Sequence, residues 1–133
     1  VTRKARPGNA TGTFLLKRAY DPPAPPDGSR FLVERLWPRG VRKDELRLEA
    51  WLKDVAPTAD LRRWFGHDPE KWPEFKRRYF RQLHANERAL APLREAARHG
   101  TVTLVYGARD TEHNAALALR EYLERIHGRD DRN

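Results

Sequence analysis

Apolar and polar positions change period along this chain, and each change marks an element. "TVTLVY" (residues 101–106) is β-branched and apolar on both parities, the pattern of a strand buried on two faces of a parallel sheet. After it, Ala115, Ala116, Leu119, Tyr122, Leu123 and Ile126 recur at helical spacing. "TFLLKRAY" (residues 13–20) is short, apolar-rich and bounded by breakers, so it predicts a strand. "RFLVERLW" (residues 30–37) alternates weakly until Pro38 forces Trp37 into extended backbone, and predicts a second strand. Between them "DPPAPPDGS" holds four prolines and an Asp-Gly pair, which excludes helix and central strand and predicts a stiff surface loop.

The middle of the chain is helical in pattern. Trp72, Phe75, Tyr79 and Leu83 are spaced by three, four and four, on a helix that opens near Pro73. Lys76, Arg77, Arg78 and Arg81 occupy its other side. "TADLRRWF" predicts a short helix capped by Thr58 or Asp60. Residues 41–58 fit two patterns: one amphipathic helix, or a turn and then a short strand near residues 51–55. Pro57 ends either. Pro92 breaks or kinks the next segment, and Gly100 closes it as a C-cap. Strands separated by helical stretches predict an α/β fold: a small single domain with a mainly parallel sheet of about four strands flanked by helices. Its expected bounds are residues 13–127, between a flexible basic tail (1–12) and a second tail (128–133).

Composition narrows the functional classes. At 133 residues the chain is long enough to bury a real core. Lys and Arg number 27 against 19 Asp and Glu, a net charge of +8 that favours phosphates, nucleic acid or anionic metabolites as partners. The absence of cysteine excludes disulfides, thiolate catalysis and thiolate metal sites. No run approaches the roughly 20 apolar residues of a membrane span. The basic N-terminal stretch lacks the apolar core of a secretory signal, so a cytoplasmic protein is expected. Dinucleotide, phosphate-loop, serine-hydrolase and zinc-protease motifs are absent.

The candidate chemistry lies at the strand ends, because a parallel sheet gathers its carboxyl ends at one rim whatever their separation in sequence. Arg35, Arg39 and Arg109 there would fork onto an anion, while Trp37 and Tyr106 would line a planar group. His113 is the candidate for proton transfer, with Asp110 three residues before it, and its place near a helix start among arginines favours the neutral ring. Asn114 would read a ligand or tie down the second strand's loop, and His67 would form a pocket wall. Each has a structural alternative. Asp110 or Thr111 would cap the last helix, and Arg35 would pair with a core carboxylate. One carboxylate–imidazole pair is too few ligands to predict a metal, and no other cofactor is expected.

"ERLWPRGVRK", "WLKDVAP", "LRRWFGHDPEKWPEF" and "TLVYGARDTEHNAA", in this order, resemble the YeaO-like proteins, a compact bacterial branch of the domain of unknown function 488 (DUF488) family. The resemblance runs from about Phe14 to Tyr122. It implies a small α/β domain in the bacterial cytoplasm and no assigned reaction. Its motif positions fall on Arg35, Trp37, Pro38, Arg39 and Gly40, on Trp64, Phe65, His67, Asp68 and Pro69, and on Asp110, His113 and Asn114. The sequence thus predicts a pocket for a small anionic or nucleotide-like ligand, with hydrolysis or transfer at a phosphoryl or glycosidic centre as the chemistry if it is an enzyme. The alternative is a nucleic-acid module that binds without sequence preference through Lys76, Arg77, Arg78 and Arg81. A partner's acidic tail is a third possible occupant. No membrane partner is expected, and the sequence does not set an oligomeric state.

Overall fold

The computed structural model describes residues 13–132; the predicted basic tail lies outside the described residues. Four parallel strands, β1 (Phe14–Arg18), β2 (Ser29–Leu32), β3 (Ala50–Trp51) and β4 (Val102–Tyr106), form one sheet in the order β1-β4-β2-β3. The last strand in sequence is therefore central, with all five residues buried. That position is why its run is apolar on both parities. Among the described residues there are five α-helices: α1 (Lys43–Leu46), α2 (Ala59–Phe65), α3 (Trp72–Ala85), α4 (Ala91–Ala97) and α5 (Ala115–Arg132).

The two-residue period of the strands separates two faces. Phe14 and Leu16 stand opposite Val102 and Leu104, and Phe31 opposite Leu104. These side chains enter the main core with Leu61, Phe65, Phe75, Tyr79, Leu93, Leu119 and Leu123 from α2 to α5. On the other parity Leu32 and Val105 form a small cluster with Leu46 of α1. Helices thus cover mainly one face, rather than flanking the sheet evenly.

The opposite face is closed by the proline-rich loop, which brings a buried ionic knot with it. The Asp27 carboxylate accepts from Lys17 Nζ at 3.1 Å, Arg30 Nη1 at 2.7 Å and the Ala24 N–H at 3.1 Å. Thr103 Oγ1 donates to the Asp27 carbonyl at 2.7 Å, and Arg30 Nε to the Leu46 carbonyl at 2.8 Å. The next residue, Gly28, has φ +64°, and a Cβ there would lie 2.2 Å from the Thr101 carbonyl oxygen. Only glycine lets the loop meet β4 this closely.

Several expected elements are revised. β2 ends at Leu32, not near Trp37; one further bond, Val33 N–H to the Val105 carbonyl (3.1 Å), keeps the chain beside β4 before it leaves. Of the two patterns open for residues 41–58, the structure has the turn followed by a short strand, but the strand is Ala50–Trp51 and does not run on to residue 55. Arg47, at φ 50°, ends α1 after one turn, and β3 aligns Ala50 and Trp51 with Phe31 and Leu32. A 3₁₀ turn, Lys53–Val55, follows. Pro92 starts α4 instead of breaking a helix, and Arg98, not Gly100, is that helix's C-cap. The helical spacing of Phe75, Tyr79 and Leu83 is buried in α3 as expected, and Thr58 caps α2 by accepting from the Leu61 N–H at 3.2 Å. Among the described residues no helix is long and apolar enough to cross a membrane.

Candidate functional site

At the carboxyl ends of β2 and β4 lies a cleft of about 410 Å³. The segment after β2 supplies Glu34, Arg35, Trp37 and Arg39; Ala56 and Pro57 precede α2; Arg62 lies on α2. Gly107 and Ala108 follow β4, and His113 and Asn114 precede α5. Phe65 and Phe75 form the apolar floor, stacked with ring centroids 4.4 Å apart. Two indoles hold the first wall, Trp51 Nε1 donating to the Glu34 carbonyl (2.6 Å) and Trp37 Nε1 to the Val41 carbonyl (2.7 Å). Arg18 Nε ties the Ala108 carbonyl to β1 at 2.9 Å.

The charge in this cleft is uneven. Arg35, Arg39 and Arg62 all line it, and none is within salt-bridge distance of a carboxylate among the described residues. Arg35 is steadied by two long bonds, Nε to the Pro57 carbonyl and Nη2 to the Ala56 carbonyl, both 3.4 Å. This rules out the core ion pair that was the alternative for Arg35. Among the described residues Glu34 is the one carboxylate that lines the cleft. Burial pushes its carboxyl above the ordinary glutamate range, and Arg62, the Gly107 N–H and His67 only partly offset that.

A raised pKa in the folded state means that the native protein holds this proton longer than the unfolded chain does. Stability therefore falls as pH rises from the unfolded glutamate value, about 4.3, through the folded value. Glu34→Gln should accordingly raise the melting temperature at pH 7, with the gain vanishing below about pH 4. Thermal melts of both proteins across that range check this; an equal or lower melting temperature for the variant at pH 7 contradicts it.

His113 lines the cleft, its Nδ1 3.0 Å from Asp110 Oδ2 and its ring edge-on to Trp72 at 5.6 Å. A carboxylate thus stands against the ring, where arginines were expected. Asp110 also accepts from the Glu112 N–H (2.8 Å) and the His113 N–H (3.0 Å), and these bonds hold its carboxyl below the usual range. The cap of α5 is Asn114, not Asp110 or Thr111. Its Oδ1 accepts from the Leu117 N–H (2.8 Å) and its Nδ2 donates to the Asp110 carbonyl (2.9 Å). With both ends of the amide so used, Asn114 serves the fold before any ligand.

Of the residues expected at the rim, Arg35, Trp37, Arg39, His67, His113 and Asn114 share the cleft. Tyr106 does not. It is 4% exposed and packed in the main core, because the strand's parity turns it inward. Arg109 is exposed and outside the lining, and Asp110 reaches the cleft only through His113. His67, at φ 60°, stands in the left-handed region directly after Gly66, which also has positive φ. Neither Glu34 nor Arg62 was among the expected site residues. The only signal was their neighbourhood: Glu34 one residue before Arg35, and Arg62 on a helix already placed at the sheet's edge. Among the cations of α3, Lys76 pairs with Glu121, and Arg77 and Arg78 with Glu74. These internal partners neutralise much of the face proposed for nucleic acid. Among the described residues, no group of three or more histidine, aspartate or glutamate side chains is placed to hold a metal ion.

Comparison with known proteins places this sequence among relatives. A family profile described as "Inactive DUF488-N3 subclade" matches residues 13–133. The chain is 43% identical over 106 residues to the uncharacterized protein Rv3073c of Mycobacterium tuberculosis, covering 80% of this chain and 89% of that one. It is 37% identical over 110 residues to the uncharacterized protein YeaO of Escherichia coli, covering 83% and 96% respectively. No solved structure matches.

Proposed function

This chain is a YeaO-like protein that belongs to the DUF488 family, in a subclade described as inactive, and from that premise we propose that it binds a small anionic ligand in the strand-end cleft. One observation carries this reading: Arg35, Arg39 and Arg62 line a single concavity, and none of them is salt-bridged to a carboxylate among the described residues. Three like charges gathered there repel one another, and a bound anion relieves that repulsion. Guanidinium forks match phosphate or carboxylate oxygens in pairs, and bonds of this charged kind are the stronger ones. The apolar floor of Phe65 and Phe75 excludes water on the opposite side. With Nδ1 against Asp110, His113 has Nε2 left as its second hydrogen-bonding position for the ligand. The subclade's description supports binding without turnover over the hydrolytic chemistry expected from the residues alone.

Thermal shift against inorganic phosphate, sugar phosphates and nucleoside monophosphates is the direct test. A ligand specific to the native state raises the melting temperature. Arg35→Ala should weaken binding about tenfold to hundredfold, the loss of one charged hydrogen-bonding group, while the far-UV circular dichroism stays unchanged. If no anion shifts the melt, or the shift survives Arg35→Ala intact, the cleft is not an anion site.

A further inference from the structure

A cleft built only for an inorganic anion would not contain Glu34. This carboxylate lines the same cavity as three unpaired guanidinium groups yet forms a salt bridge with none of them among the described residues. Its oxygens accept from the Gly107 N–H alone among the interactions that shift it, which leaves most of a carboxylate's roughly four acceptor positions for another donor. Asp110, the other carboxylate nearby, is already satisfied by His113 and two backbone N–H groups. Arg62 offsets its burial only in part and forms no salt bridge with it, and burying a carboxylate without a directly bonded cation costs stability, so its place beside the floor calls for a reason beyond folding.

The apolar surfaces complete the pattern. Phe65 and Phe75 lie beneath the cleft, only 6% and 1% exposed, while the Trp37 ring lines it and Tyr20 and Leu36, 48% and 64% exposed, stand at its rim. Such walls accept a planar ring. The cavity therefore offers three recognition chemistries together: cations for an anion, flat apolar surface for a ring, and one acceptor group for N–H donors. A flipped or free base is read by just such stacking combined with hydrogen bonds to its pairing edge.

Resting on the anion-binding reading above, we propose that Glu34 sets the ligand class: a nucleoside monophosphate whose base presents adjacent N–H donors, as guanine does, with the phosphate on Arg35, Arg39 and Arg62. A carboxylate spans two adjacent donors with its two oxygens. It repels a bare phosphate, so it orients the ligand as well as selecting it.

Isothermal titration of guanosine monophosphate, inosine monophosphate and inorganic phosphate tests this, since inosine monophosphate lacks only the exocyclic amino donor. The wild-type protein should bind guanosine monophosphate about tenfold more tightly than inosine monophosphate, and both more tightly than phosphate. Glu34→Gln should erase the preference between the two nucleotides and leave phosphate binding no weaker. Arg35→Ala should weaken all three in parallel. A guanosine preference that survives Glu34→Gln, or no preference in the wild-type protein while phosphate binds, overturns the role of Glu34 and leaves the anion site standing. If none of the three binds, both readings fail.

Discussion

Asp27→Asn is expected to lower the unfolding free energy by about 3–5 kcal/mol at neutral pH, the usual loss when one partner of a buried ion pair is removed. The side chain of Arg30 is only 4% exposed, and its Nη2 already lacks a hydrogen-bond partner. With Asp27 neutral, that guanidinium would remain buried with only the Leu46 carbonyl as a full partner. Replacing Arg30 by Met in the same chain should recover much of the loss, because an uncharged pair of similar volume avoids the desolvation. Chemical denaturation of wild type, single and double variants measures this; a single-variant loss below about 1 kcal/mol would show that the knot contributes little. The pH dependence has a definite sign. Burial raises the Asp27 pKa, but the Ala24 N–H, Lys17 and Arg30 outweigh it and leave the carboxyl below its ordinary value. The stabilisation is therefore complete above the unfolded value, about 3.9, and is lost as pH falls through the lower folded value.

Phe75→Ala should cost about 3–5 kcal/mol as well, by a different mechanism. The ring is 1% exposed, stacked on Phe65 and within 5.7 Å of both Trp72 and Tyr79, measured between ring centroids. Truncation removes transfer energy and leaves a cavity that α3, held by Tyr79 and Leu83 on the same stripe, cannot collapse into. Because Phe75 also floors the cleft, the variant should lose ligand affinity together with stability. Phe75→Leu, closer in volume, should cost below about 1.5 kcal/mol. Denaturation curves and the phosphate titration on both variants separate the two effects. Equal stability of the two variants would remove Phe75 from the core argument.

What could be read from the sequence depended on how local its cause was. The strand at 102–106, the helix carrying Phe75, Tyr79 and Leu83, and the stiff loop at 21–28 follow from period, β-branching and proline stereochemistry. Each of these acts over a few neighbouring residues. The segment at 41–58 left two patterns open, and the turn with a short strand prevails because that strand exists only where β2 offers it an edge, a contact no local preference encodes.

The site divides in the same way. That Arg35, Arg39 and His113 would meet followed from parallel strands sharing one carboxyl edge, a rule of topology applied to sequence, whereas nothing in the spacing required His67 to join them. Which side chains face that edge did not follow. Trp37 keeps its ring in the cleft but uses its indole N–H on Val41, and strand parity sends Tyr106 into the core.

The sequence by itself thus determined the class of fold, the central strand and the basic character of the strand-end rim, since periodicity and charge are properties of the chain alone. Only the tertiary structure decided that Glu34 is half-buried among unpaired guanidinium groups and that Asp27 sits under the sheet. Both depend on which distant segments exclude water from a carboxylate, and burial of that kind exists only once the chain has closed on itself.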